Sequence, residues 1–298
     1  MTNRVGVLFV HGIGTYKTGY SERFRKKLKR ALSKRLGADA NNIIMEEVFW
    51  AENLKSAQSE YRLNSEQRYP AMRYREIRQF VLDSLADAAA YQKTSRGNTY
   101  ENILRSVARS MSRLRSQLDS TSPIVVVAHS FGGEIISRYV DELLVSDTLL
   151  EDISNPIERF QTVAGIVTLG CNIPVFTFRF HPANVHPFVN ENSVRDIESL
   201  KWYNIFSPFD VLGYPLKTIN RLYDAIVNKD ILVLTGGLLF WNPGEAHLGY
   251  WKHPRTLKIV RDLVVSILKD DRFAPTRILP PAETLSHDAT LILTREAS

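Results

Sequence analysis

The chain has 298 residues, of which 44% are hydrophobic and 23% charged, with 38 Lys and Arg against 32 Asp and Glu. That is ordinary globular composition. It excludes a disordered chain, a collagen-like chain and a coiled-coil rod, and it supplies apolar material for one large domain or two small ones. The longest largely apolar stretch, Ile231 to Trp241, is broken by Thr235-Gly236-Gly237 and falls short of the about 20 residues a membrane span needs. The start of the chain lacks the basic, apolar and small-residue sections of a secretory signal. With the single Cys171, which closes no intrachain disulfide, this predicts a cytoplasmic protein.

In chain order, Val5–Val10 is a short, wholly apolar run, as a strand buried on both faces should be. Ser21 to Arg35 follows, with Phe24, Leu28, Ala31, Leu32 and Leu36 at helical spacing and a basic outer face. Residues 1–37 hold ten Lys or Arg and one acid, Glu22, so the rest of the chain is net acidic. The basic helix reads either as a solvated surface or as a contact for anionic phospholipid headgroups through residues 21–36. No zinc spacing, RNP motif or other recognition motif points to nucleic acid.

Ile43–Trp50 is a second strand. Residues 53–120 are helical in character, punctuated by Pro70 and Gly97, and read as a helical insertion and candidate lid. Residues 171–200 are the alternative cap. Further strands are expected at Ile124–Ala128, Val163–Leu169, Trp202–Phe206 and Ile231–Leu234, with helices at Gly133–Val145 and Arg255–Leu268. Strands alternating with helices imply right-handed crossovers and a mainly parallel α/β sheet of about six strands in a single domain. The tail, 270–298, with Pro275, Pro280 and Pro281, is expected to be largely irregular; Asp288–Thr294 is one candidate edge strand within it.

Two turns carry chemistry. Ala128-His129-Ser130-Phe131-Gly132-Gly133 lies between a strand and a helix. A serine on such a turn projects its hydroxyl at the sheet's C-terminal edge, and the turn needs small residues on both sides because the backbone folds back on itself. The bland alternative is a glycine-rich turn with Ser130 as a helix N-cap. Val10-His11-Gly12-Ile13-Gly14 follows the first strand. A hydrolytic serine needs backbone N–H groups aimed at the oxyanion. The amides of Phe131 and Ile13 are the candidates, with His11, Gly12 and Gly14 shaping the loop.

Together H-G-I-G and A-H-S-F-G-G resemble the α/β-hydrolase superfamily. They look most like the small bacterial lipases that place Ala where most members have Gly, and they are also similar to the lipase-like branch that includes GPI-inositol deacylases. The resemblance implies a Ser, acid, His order along the chain. The acid belongs in the loop after Trp202–Phe206, which makes it Asp210, although Asp-Val-Leu-Gly stands where the family often has Asp-Pro-Val. The base belongs between the last strand and the last helix, in 235–254, which holds His247 and His253. His247, in an Ala-His-x-x-Tyr-Trp run similar to the family's His loop, is the expected base; His253, before Pro254, reads as a cap. Glu245 is a fallback acid. The assignment requires His247 Nε2 within about 3.2 Å of Ser130 Oγ.

The expected function is hydrolysis of a small-molecule or lipid carboxylic ester through an acyl-enzyme, with no metal or organic cofactor. An acyltransferase or thioesterase would use the same residues, and a non-catalytic hydrolase-like binding protein is the reading from another class. Phe176, Leu239, Phe240 and Trp241 are candidates for an acyl pocket. Phe176, Phe178 and Phe180 equally fit one face of a strand.

Overall fold

Six strands form one sheet, and all pair in parallel. The computed structural model describes residues 4–12, 18–50, 64–65, 67–68, 99–145, 150, 153–236 and 243–273. The strands are β1 Val5–Val10, β2 Ile43–Val48, β3 Ile124–His129, β4 Val163–Leu169, β5 Lys201–Phe206 and β6 Lys229–Leu232. Their order across the sheet is β2-β1-β3-β4-β5-β6, so β1, β3, β4 and β5 lie inside it, and the first three of these are buried along their whole length. The helices are α1 Glu22–Leu36, α2 Thr99–Arg115, α3 Gly132–Leu144, α4 Ile173–Thr177 and α5 Arg221–Ile226, each between successive strands, and α6 Pro243–Leu248 and α7 Pro254–Leu268, which follow β6.

Alternation along the strands divides the apolar side chains between two layers. Val5, Val7 and Phe9 of β1 and Val125 and Val127 of β3 pack with Phe24, Leu28 and Leu32 of α1 and Val260, Leu263 and Val264 of α7. Leu8, Val10, Ile124, Val126 and Ala128 face the other way, onto Ile103, Leu104, Val107 and Met111 of α2 and Ile135, Ile136 and Tyr139 of α3. Each fully buried aliphatic or aromatic side chain is worth about 1.5–3 kcal/mol. Both faces of the sheet are therefore sealed, and its C-terminal edge is left to carry the loops.

Several expectations need correction. The stretch 99–115 of the expected insertion is a core helix on the sheet, because its apolar stripe is fully buried; residues 51–63 and 69–98 lie outside the described residues. The segment bearing Phe176 is helical at Ile173–Thr177 with a proline at its start, so the three Phe do not line a strand face. Phe178 is 83% exposed. The last strand begins at Lys229 rather than Ile231. Its polar Asp230 is fully employed, accepting from Asn204 Nδ2 and the Leu216 and Lys217 amides.

Candidate active site

The turn between β3 and α3 holds Ser130 in the left-handed region at φ 55°. A non-glycine residue there costs on the order of 1–2 kcal/mol and persists only where the surroundings fix it. The Ser130 amide donates to Leu169 O at 2.9 Å, and the Gly133 amide donates to Ser130 O at 3.1 Å. Ser130 is therefore a strained turn residue, and Phe131 takes the helix N-cap position. Close approach explains the neighbouring glycines. A Cβ at Gly12 would lie 2.3 Å from Ser130 Cβ, and one at Gly132 would lie 2.8 Å from the carbonyl oxygens of Val10 and His11.

His247 reaches Ser130 from α6. Its Nε2 lies 2.7 Å from Ser130 Oγ, and its Nδ1 lies 2.9 and 3.0 Å from the two carboxylate oxygens of Asp210. The sequence placed His247 in mid-loop; it stands near the end of a short helix that Pro243 opens. His253 caps α7, accepting from the Arg255 amide.

Asp210 follows β5 in a tight turn, its amide bonded to Ser207 O. The Leu212 amide donates to Oδ1 at 2.9 Å and Tyr250 Oη to Oδ2 at 2.8 Å. Burial pushes this carboxyl up, but the bonds from His247, Leu212 and Tyr250 outweigh it and hold the group below the usual carboxylate range. Burial and the adjacent Asp210 raise the Tyr250 phenol, which keeps it a donor. Gly170, at φ 53°, makes room: a Cβ there would lie 2.4 Å from the Tyr250 ring and 2.6 Å from Asp210 Oδ2.

Two further imidazoles are buried at this edge. His129 Nε2–H donates to His247 O at 2.8 Å, propping the backbone of α6. His11 Nδ1–H donates to Gly12 O at 2.7 Å, and its Nε2 accepts from the Trp50 amide at 3.3 Å. Trp50 stacks on the His11 ring at 4.7 Å and donates its indole N–H to His11 O. Burial lowers both histidines to about 3. Both rings bond to backbone carbonyls at this edge.

Phe131 is fully buried at the start of α3, and Phe176 packs on its ring at 5.3 Å. Ile13, Gly14, Leu239, Phe240 and Trp241 lie outside the described residues. Sequence reasoning missed Tyr250 as a partner of Asp210, although it sits three residues past His247 in the very run that singled out the histidine. It also missed Trp50 and Gly170, whose roles arise from packing between distant segments.

A strained serine between β3 and α3, an acid after β5 and a histidine after β6, all on the C-terminal edge of a parallel sheet, make this an α/β-hydrolase fold. No family model and no curated protein matches the sequence. Among solved structures, the chain is similar to esterase B from Lactobacillus rhamnosis, with 10% identity over 91% of this chain and 79% of that one and a TM-score of 0.47. It is also similar to dienelactone hydrolase from Anabaena variabilis, with 14% identity over 89% and 85% and a TM-score of 0.36. A phospholipase from Legionella pneumophila is similar at 13% identity over 89% and 61%, with a TM-score of 0.34.

Proposed function

We propose that the protein is a serine hydrolase that cleaves a carboxylic ester. The observation that carries this reading is the 2.7 Å contact between His247 Nε2 and Ser130 Oγ, backed by Asp210 on the far side of the ring. His247 takes the Ser130 proton as Oγ attacks the acyl carbon, and Asp210 holds the ring in the tautomer that leaves Nε2 free to accept it. The Phe131 amide and that of Ile13 receive the oxyanion. His247 then protonates the leaving alkoxide, and the same ring activates the water that releases the acid from Ser130. Phe176 against Phe131 contributes an apolar wall for the acyl group.

A fluorophosphonate probe tests the reading directly. Wild-type protein should be labelled at Ser130 and Ser130→Ala should not. Absence of labelling in the folded wild type would leave a binding protein as the better reading. A panel of esters of increasing acyl length, with a thioester and an alcohol acceptor added, separates esterase from thioesterase and acyltransferase.

A further inference from the structure

The helices on the two faces of the sheet differ in charge. On α1 there are eight Lys or Arg against one Glu, and on the neighbouring α7 three against one Asp. Arg23, Lys26, Lys27, Lys29, Arg30, Lys34 and Arg35 are exposed on α1, and Arg255 and Lys258 on α7. Lys26 pairs with Glu22 and Arg25 with Glu47. Among the described residues, no carboxylate pairs with Arg23, Lys27, Lys29, Arg30, Lys34 or Arg35. On the opposite face most charges are paired locally: Arg105 with Glu101, Arg113 with Glu46, Arg115 with Glu158, and Arg138 with Glu134 and Asp141, while Arg109 bonds the Ser106 hydroxyl.

Phe24, Leu28 and Leu32 pin the apolar stripe of α1 to the sheet, so its charges are held in an array about 22 Å long. The exposed positions of α1 and α7 hold no aromatic ring on which bases could stack and no amide side chain to read base edges. What the array offers is unpaired positive charge along the outer side of the helix, which complements a surface of fixed negative charge. The first turn of α1 also lies at the site's edge of the sheet, where Tyr20 Oη donates to Phe9 O near the end of β1.

We propose that the α1–α7 face docks the protein on an anionic phospholipid bilayer, with the first turn of α1 bringing the Ser130 edge alongside the headgroups. The choice of a bilayer rests on the ester-hydrolase reading, since ester lipids are held in such a surface. Each Lys or Arg at an anionic membrane strengthens binding roughly fivefold.

The test is co-sedimentation of Ser130→Ala protein with phosphatidylcholine vesicles, with and without phosphatidylserine. It needs no turnover, so a failed hydrolase reading and a failed docking surface give different results. Binding is expected only with phosphatidylserine, at low salt, and lost near 1 M salt, where the screening length falls to about 3 Å. Changing Lys27, Arg30, Lys34 and Arg35 together to Gln should weaken it by about 100-fold or more, with an unchanged melting temperature showing that the variant is folded. No binding at low salt, equal binding by the variant, or equal binding to pure phosphatidylcholine would overturn the proposal. So would capture by duplex DNA in preference to the vesicles.

Discussion

At the β1–β2 end of the sheet's upper edge lies His11, and toward the β5–β6 end lies His247; both are almost completely buried. The two imidazoles share their chemistry and their burial, and differ in what meets each ring nitrogen. Nε2 of His11 accepts from a backbone N–H, and Nδ1–H donates to a carbonyl. A second proton on that ring would face a donor, and among the described residues no carboxylate is bonded to the ring to compensate. His247 has a hydroxyl at Nε2 and a carboxylate at Nδ1, so a proton gained from the hydroxyl leaves an imidazolium already paired. On the proposed reading, burial alone leaves His11 structural, and burial with one carboxylate and one hydroxyl makes His247 a proton carrier.

The comparison breaks if the serine does not matter. Ser130→Ala should lower hydrolysis of a short p-nitrophenyl ester by about 10⁵–10⁶-fold with the fold retained; wild-type turnover by this variant would remove Ser130 from the chemistry. Asp210→Asn gives His247 a partner that can donate to Nδ1 and stabilise the wrong tautomer, the opposite of the one that His11 holds. A loss of about 10⁴-fold in kcat is expected, and a loss below tenfold would mean that another group orients the ring.

The structural histidines should declare themselves in stability. With pKa values near 3 when folded and about 6.5 when unfolded, His11 and His129 bind protons in the unfolded chain first. Stability is then greatest above pH 6.5 and falls as pH drops toward 3. The loss between pH 7 and pH 5 should be about 4 kcal/mol for the pair. Denaturant titrations at each pH measure it, and His129→Gln should remove about half of the slope. A flat profile over that range would contradict the neutral, donor-matched rings. The smallest effect is at Tyr250, one of the three donors to Asp210. Tyr250→Phe should cost about 1–2 kcal/mol of stability and up to about tenfold in kcat, read from a thermal melt and a pH–rate profile.

How much of this was legible depends on whether one segment or two set the feature. β1 to β4 are announced by their own runs of Val and Ile, and β5 by Trp202, Tyr203, Ile205 and Phe206, so most of the sheet could be read without a partner in view. Ser130 could be read too, because the small residues a sharp turn requires are adjacent to it. Asp210 and His247 could be placed from the order of elements once that turn was recognised. The short helix under His247 was hidden because Pro243-Gly244 reads as a loop, although Pro at a first helical position with Glu245 behind it equally starts a helix. Lys229 and Asp230 look unlike strand residues until Asn204 and the Leu216 and Lys217 amides are seen to satisfy Asp230. The unpaired charge on α1 was visible as composition. Its exposure and the local pairing on the opposite face required three dimensions.

The sulfur of Cys171 has a use as an instrument. It is the chain's only thiol, fully buried beneath the serine turn, 3.4 Å from Ala128 O, and burial pushes it up to about 12. While the turn stays closed, a thiol-specific reagent has neither access nor thiolate to attack. The rate at which the native protein reacts with Ellman's reagent therefore counts openings of the ground under Ser130, with no label to introduce and no second cysteine to remove. Occupation of the serine by a covalent inhibitor should slow that clock if the acylated turn is the more rigid one.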